Sequence, residues 1–352
     1  MTKTASSPAL KLRGPTGLVA AVPSLLGFHP QESLVVLCIR PPGLVGPVVR
    51  ADLDGSGQPP PAAMAAQLAS FAIRYGQTAA VICYTEQGGR PPLLDETIAA
   101  LDRGDMPIFV VLTVRDGVIR SSWTAEIEAA DHGLPEPPDD DPQAQAMAVL
   151  NVGSGRGVLR NRDALRASIA APVGDTLTEA RAAILGFCEE LSSLPADVPQ
   201  IEATMVARGS RAMTRARREL RQAGRVATGT AAELIVLTNS VAVRDAVIAR
   251  AVAQYDTDWV ATFISVVTRC PPEEAAEICS VLAVVAYRYG DGALSQVAID
   301  RCLAAEPRHR LGHLLLSATG AGLPPEELAE LAGADPAAEH RPRRARGRRA
   351  AG

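Results

Sequence analysis

The stretch AAVICYTEQGGRPPLLDETIAALDRGDMPIFVVLTV, residues 79–114, decides the fold. AAVICY at 79–84 and PIFVVLTV at 107–114 are short, continuous apolar runs of the kind that forms buried strands. PLLDETIAALDR at 92–103 has the apolar spacing of a helix, and Gly104 follows as its stop. A strand, a helix and a second strand in this order make a crossover, which brings two strands together in parallel.

The neighbouring segments extend the pattern. LVVLCI at 34–39 reads as a buried strand, and VGPVVRADL at 45–53 as a second, with Pro47 placing its start near a sheet edge. AAMAAQLASFAIRY at 62–75 carries Met64, Leu68, Phe71 and Tyr75 at helical spacing, and Gly76 closes it. Asp116-Gly117 turns the chain into VIRSSW as a hairpin. The expected N-terminal domain is therefore α/β with a mixed, partly parallel sheet. DHGLPEPPDDDPQ at 131–143 reads as an exposed acidic loop. A helix is expected at 143–151, then VGSGRG, then a helix after Asn161.

From residue 175 the expectation is an all-α domain. Thr176–Glu179 and Thr230–Glu233 have the spacing of capping boxes, and Pro271-Pro-Glu-Glu274 and Pro324-Pro-Glu-Glu327 put proline and acids into a first helical turn. After Thr176, residues Leu177, Ala180, Ile184, Cys188 and Leu191 line one face. Residues 276–309 span the 34 positions of a tetratricopeptide unit, with Leu282-Ala283, Gly290, Ser295, Ile299, Cys302 and Pro307 at its size-restricted positions. The helical domain is thus partly tetratricopeptide-like, with plain helical packing an equal alternative. Residues 1–174 form the α/β domain with a flexible N-terminal segment, 175–332 the helical domain, and 333–352 an Arg-rich tail expected to be disordered.

With 352 residues, 47% hydrophobic and 21% charged, the chain is long enough for two cores. No apolar run has the ~20 residues of a membrane helix. The opening MTKTASSPALKLRGPTG has no apolar core of signal-peptide length, so the expectation is a cytoplasmic protein without a membrane partner. The six cysteines contain no C-x-x-C pair, and reduced core thiols are the favoured reading. A net charge of −4 gives no global attraction to nucleic acid, and 3% aromatics supports little base stacking.

Five groups of residues carry candidate chemistry. In LLGFHPQESLVVLCIR at 25–40, Gly27 suits a positive φ that ends a preceding helix, and Pro30 sets a turn before Ser33 enters the strand. Ser33 with His29 would make a nucleophile and base, but the order helix–turn–strand reverses that of a nucleophile elbow, so a structural turn is favoured. Arg50 and Asp52 alternate on one strand face, as a ligand clamp or an ion pair. Gly153-Ser-Gly-Arg-Gly157 lacks the lysine and spacing of a phosphate loop and reads as a connector. His309 and His313 share a helix face without further ligands, which favours surface histidines over zinc. In RGSRAMTRARRELRQAGR at 208–225, seven arginines stand against one glutamate. With Ser210 as a helix cap, Arg211, Arg215, Arg218, Arg221 and Arg225 follow near one face, as a stripe for an acidic protein surface, nucleic acid or the acidic loop Asp139–Asp141.

Leu18-Val-Ala-Ala-Val-Pro23, Leu25-Leu-Gly-Phe28, Pro30, Glu32-Ser-Leu-Val35 and Arg50-Ala-Asp-Leu53 resemble the opening of an actinobacterial family, the domain of unknown function numbered 4192. Asn161-Arg-Asp-Ala-Leu165 and Gly290-Asp-Gly-Ala-Leu294 running to Pro307 extend the resemblance over most of residues 16–325. It implies a bacterial cytoplasmic protein and brings no assigned reaction. Similar proteins often carry a Cys-Cys-Pro segment after a Trp-containing strand. Here Ser121-Ser-Trp123 runs into Asp131-His-Gly-Leu-Pro135 without cysteine, so a metal or redox role built on those residues does not carry over. The expected function is a protein-interaction or regulatory module without cofactor or metal. The alternatives are an enzyme or small-ligand sensor using Gly27, His29, Ser33, Arg50 and Asp52, and a nucleic-acid accessory protein using the arginine helix.

Overall fold

A computed structural model describes residues 14–41, 43–53, 59–121, 133–138, 141–142, 145, 157–193, 201–253, 256, 258–325 and 327. The chain divides into two compact units, one running to Leu165 together with Gly320–Gly322, the other covering Arg166–Thr319 and resuming at Leu323.

The first unit opens with α1 (Gly14–Leu26), β1 (Ser33–Arg40), β2 (Leu44–Asp52), α2 (Pro61–Tyr75) and β3 (Thr78–Tyr84). It continues with α3 (Pro92–Arg103), β4 (Ile108–Arg115), β5 (Val118–Ser121) and β6 (Leu134–Pro135). One six-stranded sheet has the order β2-β1-β3-β4-β5-β6. Among the described strands β3 and β4 pair in parallel, across the α3 crossover, while β1 runs antiparallel to both β2 and β3. The mixed, partly parallel sheet is therefore as expected. The hairpin at Asp116-Gly117 forms with both turn residues at positive φ. One correction concerns the acidic loop: Leu134 and Pro135 pair with β5 and extend the sheet, because a short extended piece gains backbone hydrogen bonds along the edge of β5 that a loop would leave to water.

Both sheet faces are covered, which is why β1 and β3 read as unbroken apolar runs. On one face Leu34, Val36, Val81 and Cys83 pack with Leu68 and Ala72 of α2 and Leu94 and Leu101 of α3. On the other, Val35, Leu37, Ile82 and Leu112 pack with Leu18, Val19 and Val22 of α1. Gly27 ends α1 at φ 80° and donates its N–H to the Pro23 carbonyl at 2.8 Å. A side chain there would strain the backbone although space is open around it.

The helix following Asn161 is α4 (Arg162–Ser168), and the Asn161 side chain accepts from the Ala164 N–H at 2.9 Å. The second unit is then helical throughout its described residues: α5 (Gly174–Ser192), α6 (Ile201–Ala223), α7 (Thr228–Thr238), α8 (Val241–Ala253), α9 (Asp258–Val267), a 3₁₀ turn at Pro272–Glu274, α10 (Ala275–Arg288), α11 (Gly292–Ala305) and α12 (Arg310–Gly320). α10 and α11 form the hairpin anticipated at 276–309. Gly290 turns between them at φ 79°, Asp291 caps α11, and buried Ser295 donates to the Ala283 carbonyl at 2.9 Å, a contact that a larger side chain would not fit.

Neither capping box forms. α5 starts at Gly174, so Thr176 lies inside its first turn and donates to the Val173 carbonyl at 2.7 Å. α7 starts at Thr228, which leaves Thr230 and Glu233 inside it and buried. In both cases packing of the apolar face sets the start of the helix, and it overrides a local cap worth about 1 kcal/mol. Of the face expected on α5, Ala180 and Ile184 are buried, joined by Phe187, while Leu177, Cys188 and Leu191 are half-buried. At the Pro324–Glu327 start Pro325 and Glu327 are helical, while the 143–151 helix lies largely, and the 333–352 tail wholly, outside the described residues. Among the described residues no helix is long and apolar enough to cross a membrane.

Candidate functional site

At one end of the first sheet, Asp52 of β2, Ser33 of β1 and Tyr84 of β3 stand opposite one another in register. Arg50 lies two residues before Asp52 on the same face. Its guanidinium donates to the Ser33 hydroxyl from Nε at 3.0 Å and from Nη2 at 2.7 Å, pairs with Asp52, and sits 5.7 Å from the Phe28 ring centre. Arg162, at the start of α4, donates to the other Asp52 oxygen at 2.6 Å. Two guanidiniums thus converge on one carboxylate. The Ser33 hydroxyl gives its proton to the Gln31 carbonyl at 2.5 Å and accepts from Arg50, so no base takes that proton. Gly27 and His29 engage Leu159 through their backbones: the Gly27 carbonyl accepts at 2.8 Å, and the His29 N–H donates at 3.0 Å. The structure therefore brings Ser33, Arg50 and Asp52 into one network. It also supplies Phe28 and Arg162, which spacing alone could not connect to Asp52.

A second feature at this sheet end lies among the described residues. A cleft of about 120 Å³ is lined by Glu32, Leu53, Thr85, Gln87, Gly88, Arg90, Pro91 and Pro92. It opens beyond the carboxyl end of β3, where α/β sheets commonly place ligands. Glu32 adopts a left-handed φ of 38°, uncommon for a residue with a side chain. Its carboxylate accepts from Thr85 Oγ1 at 3.0 Å and from the Glu86 N–H at 2.7 Å, tying the TEQGGRPP segment to the entry of β1. The signal was present at residues 85–92, as a Gly-Gly-Arg turn between a strand and a helix. Gly153–Arg156 lies outside the described residues.

In the second unit, α6 carries the arginine run. It begins at Ile201, so Ser210 is an interior residue and not a cap; its carbonyl accepts from Arg250 at 3.0 Å. The helix sorts its arginines by face. Arg208 donates to Glu190 at 2.7 Å and Glu233 at 2.9 Å, and stacks 4.6 Å from the Phe187 ring centre. Arg215 pairs with Glu233 and donates to Thr230 at 3.0 Å. Arg217 pairs with Asp256 over the Trp259 ring, and Arg221 meets Asp258 at 2.5 Å. Internal acids meeting this run are therefore Glu190, Glu233, Asp256 and Asp258; of the Asp139–Asp141 loop, Asp139 and Asp140 lie outside the described residues. Arg211, Arg218 and Arg225 are exposed and have no carboxylate partner among the described residues. Within one stripe, Arg215 and Arg221 thus separate from these three.

His309 corrects the reading of surface histidines. It is 4% exposed; its Nδ1 accepts from the Gly312 N–H at 3.0 Å and lies 3.3 Å from Cys302 Sγ, and its Nε2 lies 3.1 Å from Glu277. Gly312 is what admits the ring: a Cβ there would fall 3.0 Å from Cys302 Sγ and 3.3 Å from His309 Nδ1. His313 stays exposed, 2.8 Å from the Pro307 carbonyl. The thiol, imidazole and carboxylate stand in the order of a nucleophilic triad. Cys302, however, is fully buried, and burial pushes its thiol up to about 12, which leaves it protonated and out of reach of solvent. Among the described residues no group of three or more His, Cys, Asp and Glu side chains could hold a metal ion.

Fold and sites define a two-unit protein, a mixed-sheet α/β unit followed by a helical one, each with its own polar cluster. The chain belongs to the family described as Domain of unknown function (DUF4192), whose model matches residues 15–326. No curated protein and no solved structure matches it.

Proposed function

We propose that the chain is a binding protein that meets an acidic partner protein through the outer face of α6 and performs no chemistry of its own. One observation carries this reading: the inner arginines of α6 are neutralised one by one, whereas Arg211 and Arg218 are exposed and have no carboxylate partner among the described residues. They are seven residues apart, about 10.5 Å along one side of the helix. Arg250, which donates to the Ser210 carbonyl and Thr214 Oγ1, adds a third charge between them. Uncompensated arginines raise association rates with acidic surfaces and favour them over basic ones. The cluster at the sheet end supports the same reading, since Ser33, Arg50 and Asp52 are spent on one another and on Arg162. A protein partner is favoured over nucleic acid because the acids flanking the outer row, including Glu219 and Asp258, would oppose a continuous phosphate backbone.

The test is retention from a nuclease-treated extract of the native host, comparing the chain with its Arg211→Gln/Arg218→Gln variant. Proteins held by the chain in low salt and lost by the variant are expected. Material that disappears on nuclease treatment, or equal retention by the variant, would overturn the reading.

A further inference from the structure

The cleft at the carboxyl end of β3 holds a carboxylate without a cationic partner among the described residues. Ser33 pairs in register with Tyr84, and Tyr84 with Val114, so Glu32, Thr85 and Arg115 stand in the next row, at the strand ends. Glu32 and Thr85 line the cleft. The Glu32 carbonyl accepts from the Leu53 N–H at 2.8 Å. Its carboxylate takes Thr85 Oγ1 on one oxygen and the Glu86 N–H on the other. The acid is thus fixed at both backbone and side chain, which holds its left-handed φ of 38° in place. Only two of its roughly four lone-pair sites are used by these bonds. Arg115 does not answer it: its guanidinium donates to the Gly89 carbonyl at 2.7 Å, and the residue does not line the cleft. Arg90 does line the cleft, but it pairs with Asp95. Pro91 and Pro92 give the start of α3 no N–H of their own, which removes two donors that an anion would use. Asp95, in the first turn, meets the partial positive charge of that helix end.

We infer that this cleft binds a short primary alkylammonium ion. The ammonium's three N–H donors match the lone pairs that Glu32 has left, and its chain lies against Leu53, Pro91 and Pro92. The volume of about 120 Å³ is somewhat below the ~150 Å³ of an apolar cavity that takes up benzene, which sets the bound portion at about five heavy atoms. A free amine and a lysine side chain of another protein offer this same group. The inference goes beyond the α6 reading and does not depend on it.

Ligand-observed NMR titration of the full chain compares n-butylammonium with 1-butanol, its uncharged counterpart, and with butyrate. Butylammonium is expected to bind at least about tenfold more tightly than either, because charge-assisted hydrogen bonds are about twice as strong as neutral ones. Glu32→Gln, with folding checked by circular dichroism, should remove that preference. Nα-acetyl-lysine methylamide carries the same ammonium on a peptide unit. Binding as tight as that of butylammonium would support the inference and assign the cleft to a lysine side chain; binding of butylammonium alone would support it and assign the cleft to a free amine. Equal affinity for butylammonium and butanol on the unchanged chain would overturn the inference whatever the fate of the variant. So would tighter binding of butyrate, or a preference for the ammonium that survives in folded Glu32→Gln. Partner retention through α6 bears on none of these outcomes.

Discussion

Replacing Glu233 by glutamine should weaken the helical unit far more than any other single charge change on the inner face of α6. Glu233 is 8% exposed and accepts from two guanidiniums, Arg208 and Arg215. Charge-assisted hydrogen bonds contribute roughly 1.5–3 kcal/mol each, and breaking a buried pair costs about 3–5 kcal/mol. Two features reduce that figure here. Arg208 keeps Glu190 at 2.7 Å, and Arg215, with a side chain 39% exposed, keeps Thr230 and a Glu219 carboxylate at 4.0 Å. The net expectation is about 2–3 kcal/mol, a fall in melting temperature of roughly 5–10 °C for a domain of this class. Glu190→Gln is the control: its carboxylate is 57% exposed, and the change should cost under about 1 kcal/mol. The assay is urea unfolding in a Trp123→Phe background, with Trp259 as the fluorescent reporter and far-ultraviolet circular dichroism beside it. If Glu233→Gln shifted the midpoint no more than Glu190→Gln, the two arginines would not depend on that carboxylate, and the sorting of α6 into neutralised and free faces would fail.

The thiols and the Glu277 network supply two further expectations. Burial raises Cys38 to about 11 and Cys83, Cys279 and Cys302 to about 12, and it raises Cys270 as well, while Cys188 is only half-buried. A thiol-specific chromogenic reagent at pH 8 should therefore label one cysteine rapidly in the native chain and all six after denaturation; rapid labelling of two or more native thiols would contradict the burial. Burial acts to raise the Glu277 pKa, but hydrogen bonds from His309 and Arg244 and the charge of Arg244 outweigh it and hold the carboxyl below its usual range. Its contribution is thus fully present above the unfolded value of about 4.3 and is lost as pH falls through the folded one. Stability of the helical unit should drop below about pH 4, and Glu277→Gln should lower stability at neutral pH while flattening that acid limb; an unchanged acid limb in the variant would refute the assignment.

The elements of this protein were legible in the chain because they follow from local rules. Continuous apolar runs at 34–39, 79–84 and 107–114 became β1, β3 and β4, and Gly27, Gly76 and Gly104 ended the helices before them. The stop at Gly27 needs no partner from elsewhere, only a backbone at positive φ. The Arg50–Asp52 pairing was equally legible, since alternate strand residues share a face whatever lies around them. Tertiary structure decided everything that depends on which side of an element is covered. Thr176 and Thr230 had the spacing of caps, yet packing moved both helix starts upstream. His309 lies between arginines in the sequence but is buried, because Gly312 opens room for the ring and Glu277 from α10 receives it. Seven arginines in eighteen residues looked like one stripe. Their acids come from α5, α7 and the start of α9, separated from them in sequence, and only the packing of those helices against one face of α6 divides the charges that are neutralised from those that remain exposed. Periodicity tells which residues share a face, and the long-range contacts that bury that face are set by the whole chain.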